Sequence, residues 1–237
     1  MSRMSLETGD HVETGVRARR GTAFYVGVVL LVAGAGLLGY VGWQMFGTNI
    51  VSRQAQDRIV EDLREQWRTE GTDRQGTDRQ VSRGEASALV RIPAFGDDYE
   101  VPVLEGVGDD ELASGFGHFP DSANLGERGN YALAAHRVTH GEPLRDMPEL
   151  RPGDEVIIET RDATYTYELD TDPNDLVVSF ENIWVVDPLP TNPQRGGVQP
   201  ESQEPGQRLI TLTTCSELFH TDNRMIAFGH LVEVSEE

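Results

Sequence analysis

LITLTTCSELFHTDNRMIAFGHLVEV, residues 209–234, holds the single cysteine of the chain, Cys215, at the end of one apolar, β-branched run. An arginine, Arg224, opens a second such run nine residues later. Runs of this composition form strands, and the polar SELFHTDN between them is a connecting loop. If the two strands pair, Cys215 and Arg224 stand side by side across the ladder. An unperturbed thiol is mostly un-ionised at neutral pH. Cysteine chemistry therefore needs a cation or base beside the sulfur, an acid for the leaving group and donors for an oxyanion. Arginine holds its proton in practice, so Arg224 suits a thiolate or an oxyanion and is a poor acid. Taken alone, Cys215 would be an inert core residue; the returning arginine is what raises it above that.

Working outward, strand-like runs recur from about Ala88: ALVRIP (88–93), YEVPVL (99–104), YALAAH (131–136), DEVIIET (154–160), TYTYEL (164–169) and NIWVV (182–186). With RLITLTT (208–214) and RMIAFGHLVEV (224–234) they predict an all-β sandwich or closed barrel, because Gly, Pro, Asn and Asp separate them. RDATY (161–165) reads as a hairpin turn. GDDELASG (108–115) and GEPLRDMPEL (141–150) read as short helices or turns. The Pro- and Gly-rich stretch 187–207 is a long irregular loop, of the kind that is functional or mobile.

Upstream the pattern differs. Gly21 to Ser52 carries no charge, and Thr22 to Phe46 is apolar and long enough to span a bilayer as a helix. Phe24 and Tyr25 at one end and Tyr40 and Trp43 at the other resemble the aromatic belts of such a helix. Arg17, Arg19 and Arg20 precede it, which places the N-terminus in the cytoplasm and the rest outside. Ala33-Gly34-Ala35 resembles a signal-peptidase site, but the apolar run continues well past it, which favours a retained anchor. RQAQDRIVEDLREQWRTE (53–70) has Ala55, Ile59, Leu63 and Trp67 at four-residue intervals, a narrow apolar helix stripe. Such a helix either continues the membrane span or lies on the globular domain. The tandem GTDRQ repeat (71–80) is polar and reads as a flexible linker. The expected division is a cytoplasmic tail (1–21), a transmembrane helix (22–46), a stalk and linker (47–87) and a catalytic domain (88–237).

Charge excludes one class of partner. The sequence contains no lysine. Residues 1–91 hold 12 arginines against 11 acidic residues, and residues 92–237 hold 8 against 29. So acidic a domain repels phosphate backbones, which argues against nucleic acid. An unpaired cysteine outside the cell implies intermolecular pairing or a reactive thiol. Among six histidines, His11 falls in the tail and His140 in a polar turn, while His136 ends a strand. His136 and His140 could join Cys215 and His220 as zinc ligands, but that i, i+4 spacing needs a helix, which YALAAHRVTHGEP does not offer. No metal or other cofactor is expected.

TLTTC (211–215) resembles the T-L-x-T-C signature of sortases, membrane-anchored cysteine transpeptidases of Gram-positive bacteria. GFGHFPDSANLGERGNYALAAHR (115–137) is similar to the stretch that leads to their catalytic histidine, and Arg224 falls where the family carries its arginine. The likeness covers residues 88–237 and is strongest to the class E enzymes of actinobacteria. It implies a closed eight-stranded β-barrel with short helices behind one transmembrane helix. By the same resemblance Cys215 is the nucleophile, His136 the general acid/base and Arg224 the stabiliser of the oxyanion, while Thr214 and His118 line the substrate groove. The implied partners are surface proteins with a C-terminal sorting signal, Leu-Pro-x-Thr-Gly-like or Leu-Ala-x-Thr-Gly, and a peptidoglycan-precursor amine of the lipid II type.

Overall fold

The structure, a computed structural model, describes residues 21–43, 47–70, 84–216 and 222–236. The N-terminal segment expected as a cytoplasmic tail, with its arginines, the GTDRQ repeat, Phe46 and His220 lie outside the described residues. Two compact units divide at Gly42. The first contains α1 (Thr22–Gly42), a helix with no charged residue and none of its side chains buried. Its 21 residues make a rod of about 30 Å, the thickness of a bilayer's hydrocarbon core.

The second unit begins with α2 (Thr48–Glu70) and continues through nine strands: β1 (Ala86–Arg91), β2 (Val101–Glu105), β3 (Phe116–His118), β4 (Gly129–Ala134), β5 (Glu155–Glu159), β6 (Ala163–Leu169), β7 (Val177–Ser179), β8 (Arg208–Cys215) and β9 (Asn223–Glu236). Eight of them follow in the order β6-β5-β1-β2-β3-β4-β8-β9, and β9 pairs back onto β6. The sheet is therefore a closed barrel of eight strands, with β7 added beside the start of β9. Two neighbour pairs are parallel, β2–β3 and β4–β8. A short helix, α3 (Asp109–Ser114), makes the first crossover.

The interior is filled by alternate side chains of the wall, among them Val90, Val103, Phe116, Leu133, Ile158 and Leu212, as the two-residue strand period requires. The central part of β9 does not alternate. Met225 and Ala227 face the barrel core, while Ile226 and Phe228 belong to a second cluster outside the wall with Leu176 and Val185. Burial on both faces explains why MIAF is an unbroken apolar run.

NIWVV, expected as a strand, is a 3₁₀ helix over Ile183–Val186. Its apolar character is real, since Val185 is buried and Trp184 packs on Phe228. Its backbone, however, meets side chains instead of a strand: the Val185 carbonyl accepts from Asn130 Nδ2 and Thr211 Oγ1 at 3.2 and 3.1 Å. Conversely, β3 and β7 are three-residue strands that the pattern of the sequence does not mark. GEPLRDMPEL is largely turns around a 3₁₀ segment at Met147–Glu149. RDATY does turn the β5–β6 hairpin, closed by Thr160 N–H to the Ala163 carbonyl at 2.9 Å. The 187–207 loop is tied internally, with Gln203 donating to the Pro190 and Pro200 carbonyls and Asn192 to that of Val198.

Of the two alternatives for the stripe at 55–67, α2 lies on the globular domain. Leu63 is buried, Ala55, Ile59 and Trp67 are half-buried, and the helix packs on β1, β2 and α3. Arg64 fastens it by pairing with Glu100 and, at 3.1 Å, with Glu159.

Two glycines in GFGHFP have a packing reason. A Cβ at Gly115 would lie 2.3 Å from the Pro102 carbonyl, and one at Gly117 would lie 2.3 Å from the Gly106 carbonyl. Both obstacles are backbone and cannot rotate away. Gly117→Ala should therefore destabilise the barrel by about 2 kcal/mol, read as a lowered urea midpoint with unchanged slope. An unchanged midpoint would show that the β2–β3 wall yields freely there.

Candidate active site

Cross-strand register assembles the site. β8 pairs antiparallel with β9, and Cys215 is the direct partner of Arg224. On its other side β8 runs parallel to β4, with Ala132 opposite Thr211 and Ala134 opposite Thr213. The Ala135 N–H continues that ladder to the Thr213 carbonyl at 3.2 Å, and the Arg137 guanidinium reaches the Ser216 carbonyl. His136 follows directly on that last ladder bond, two residues past the end of β4, and lines the same cleft as Cys215. Directly opposed residues share a face of the sheet. Cys215 and Arg224 therefore project from the same face, the outer one, which also carries Ala132, Ala134, Thr213 and Ile226.

On that face lies a cleft of about 570 Å³ lined by all three residues. The small side chains Ala134 and Thr213 form its floor. Val107, Leu112 and Phe119 line it as well, together with Val178, Phe180 and Ile183. Phe180 and Ile183 are 56% and 72% exposed, large apolar side chains in water beside a cleft, as a binding surface requires. Polar side chains lining the cleft, besides the three, include Thr139, Ser179 and Asn182. Asp109 of α3 also lines it.

Cys215 is half-buried, within reach of a substrate. Arg224 is half-buried too, its Nη1 donating to the Asn223 carbonyl at 3.1 Å. Thr214 is 2% exposed. It lines the cleft, and its hydroxyl donates to the Ala135 carbonyl at 2.7 Å, joining the strand of the thiol to that of the histidine immediately before both residues. His140, which the sequence places in a polar turn and offers only as a zinc ligand, stacks its ring on His136 with centroids 4.6 Å apart and planes at 29°.

His118 is placed elsewhere. It is buried in the wall, with Nδ1 at 2.8 Å from a Glu105 carboxylate oxygen and Nε2 near the Ser122 hydroxyl and the Ala123 carbonyl. Its ring stacks on Tyr131 at 4.6 Å, whose phenol pKa burial pushes well above the usual value. The neighbouring Phe119 lines the cleft in its place. The 187–207 loop contributes no residue to the lining. Among the described residues no group of three or more His, Cys, Asp or Glu converges as metal ligands. Phe119, Phe180, Ile183 and Arg137 were not singled out by sequence. Only the position of Arg137 directly after His136 was a signal.

A family model described as a sortase domain matches residues 90–232. Sortase SrtE1 of Streptomyces coelicolor is 31% identical over 215 residues, which are 88% of this chain and 56% of that protein. This chain thus spans little more than half of that relative. The solved structure of sortase E from Streptomyces avermitilis is 36% identical, with a TM-score of 0.57, covering 66% of this chain and 93% of that one. A structure of S. coelicolor sortase E1 with a tripeptide in its active site is 32% identical, with a TM-score of 0.55, covering 66% and 94% of the two chains.

The Thr214–Ala135 bond gives a direct test of how the two strands are held. Thr214→Val keeps the shape and leaves a buried carbonyl without its donor, which costs about 1–2 kcal/mol. The expected result is a lowered urea midpoint, with slower reaction at Cys215 because the link preceding His136 is lost. Wild-type stability and rate together would remove this hydroxyl from the account.

Proposed function

Because the chain belongs to the sortase family, we propose that it is a membrane-anchored cysteine transpeptidase whose machinery is Cys215, His136 and Arg224. The register pairing of Cys215 with Arg224 at the edge of an apolar cleft carries the reading. Cys215 gives its thiol proton to His136, and its Sγ attacks the threonine carbonyl of a C-terminal sorting signal, Leu-Pro-x-Thr-Gly-like or Leu-Ala-x-Thr-Gly. The tetrahedral oxyanion forms beside the Arg224 guanidinium, a fixed cation worth more to the transition state than to the ground state. His136 delivers a proton to the departing glycine amine, leaving a threonyl thioester on Cys215. A second amine, on a peptidoglycan precursor of the lipid II type, attacks that thioester; His136 takes the amine proton and returns it to the departing Cys215 sulfur, which regenerates the thiol. Thr214 lines the groove and holds the strand of His136. His118, with both ring nitrogens engaged, supports the groove from behind through Phe119.

The proposed division is a cytoplasmic tail (1–21), a membrane helix (22–46), an intervening segment (47–87) whose α2 lies on the barrel, and a catalytic domain (88–237) outside the cell. The uncharged α1 and the arginines before it support that orientation. Protease added to wall-stripped cells should digest the C-terminal domain and spare the N-terminus; the opposite pattern would reverse the topology.

The chemistry is tested by incubating the protein with sorting-signal peptides and triglycine, followed by mass spectrometry. Wild-type protein should show a thioacyl adduct on Cys215 and a transfer product. Cys215→Ala should stay folded and form neither. Arg224→Ala should slow acylation by about a hundredfold or more, and Arg224→Lys should remain impaired because the planar multi-donor geometry is lost. Cleavage by Cys215→Ala, or wild-type rates from Arg224→Lys, would overturn the mechanism. Hydrolysis without transfer would keep the thioacyl enzyme and exclude triglycine as its acceptor.

A further inference from the structure

His136 lies just past the end of β4, where the ladder no longer fixes it. Its carbonyl is held by the Leu144 N–H at 3.0 Å, but the ring torsion of a histidine is intrinsically broad. The loop that follows restricts it, since His140 presents its ring face to that of His136.

That loop has an improbable backbone. His140, Gly141 and Glu142 have φ of 53°, 83° and 56°, a run of left-handed conformations in which two residues carry a Cβ. Such a conformation persists only where its surroundings enforce it. Here the enforcing element is α2. Gln56 Nε2 donates to the His140 carbonyl at 3.0 Å and Arg53 Nε to the Gly141 carbonyl at 3.2 Å. Asn49 both accepts from the Gly141 N–H, at 3.2 Å, and donates to the Val138 carbonyl, at 3.4 Å. Asn49, Arg53 and Gln56 are spaced by four and three residues and so share one face of the helix. Gln56 is 5% exposed, so this face is an interface and not a surface decoration. A Cβ on Gly141 would lie 2.7 Å from the Gln56 carboxamide oxygen, which shows how closely helix and loop are fitted.

We propose that α2 belongs to the catalytic unit: through Asn49 and Gln56 it holds the 138–142 loop so that His140 is a stacking platform setting the plane of the His136 ring. His140 and Gln56 are then positioning residues, and the inference rests on His136 as the acid/base. Removing His140 then costs more than its place in a polar turn predicts.

The test uses the full-length chain in detergent micelles, with quenched Leu-Ala-x-Thr-Gly and Leu-Pro-x-Thr-Gly peptides and triglycine as acceptor. His140→Ala and Gln56→Ala should each lower kcat about tenfold while KM stays within about twofold. Both should move the His136 Cε1–Hε1 resonance in NMR spectra of ¹³C-histidine protein. His140→Phe, which restores a stacked ring without a titratable nitrogen, should recover most of kcat. A His140→Ala enzyme with wild-type kcat and an unmoved His136 resonance would overturn the proposal, and so would a His140→Phe enzyme as slow as His140→Ala. His136→Ala separates the two levels of the argument. If it retains wild-type kcat, the acid/base reading itself fails; if it is inactive while His140→Ala is normal, the positioning role alone fails.

Discussion

Pairing of β8 on both of its edges is the constraint from which the site follows. One edge runs parallel to β4 and the other antiparallel to β9, so a single strand sets Arg224 directly opposite Cys215 and brings the end of β4, at Ala134, beside Thr213. The side-chain period of a strand is two, and a slip of one residue would send every side chain to the opposite face. Several contacts hold the register. Ile210 and Leu212 fill the barrel core, while Thr211, on the outer face, is bonded to Asn130 of β4 at 2.9 Å and to the Val185 carbonyl. An apolar face turned inward and a polar anchor turned outward make the misregistered state costly on both sides.

Much of this was readable in the sequence because it depends on local pattern. The apolar runs at 208–215 and 223–234, with a polar loop between them, already implied the pairing of Cys215 with Arg224. The helix stripe at Ala55, Ile59, Leu63 and Trp67 was likewise legible from its period. What pattern cannot give is the neighbour of a strand. Nothing in YALAAH announces that β4 lies parallel to β8, so the meeting of His136 with Cys215 came from family resemblance and not from residue spacing. NIWVV failed for a related reason: β-branched composition reports burial, and the hydrogen bonds of Val185 go to side chains of β4 and β8. The short β3 and β7 escaped notice because three residues carry no period. His118 resembled a groove residue by motif position, but strand alternation turns it inward toward Glu105 and leaves Phe119 on the cleft.

The cleft combines two surfaces with different demands. Its floor is built from strands whose positions are fixed by ladders on both sides, which suits residues that must hold reacting atoms in place. Its apolar sides come from β7, the 3₁₀ helix at Ile183–Val186 and the α3 region, short elements added to the outside of the barrel. Exposed side chains such as Phe180 and Ile183 can change there with little effect on the core, whereas Thr213 and Ala134 cannot. On the proposed function, substrate preference can thus diverge on the rim while the chemistry on the floor stays as it is.

Closure of the barrel by β9 has a consequence for how the protein is made. β6 and β8 are joined in the sheet through β9 alone, which pairs with one by Ala163–Leu169 and with the other by Leu209–Cys215. A chain emerging from its N-terminus has all the other strands before it has the one that completes the cylinder. In that interval β6 and β8 are open edges, templates for pairing with a neighbouring chain. The contacts that remove them are long-range and slow to form, and β8 lies beyond the long 187–207 loop. Until β9 is added, the incomplete sheet therefore presents two unpaired edges, and pairing of β9 with both removes them together. Tethering each nascent domain to a membrane would keep it at a distance from its siblings during that interval.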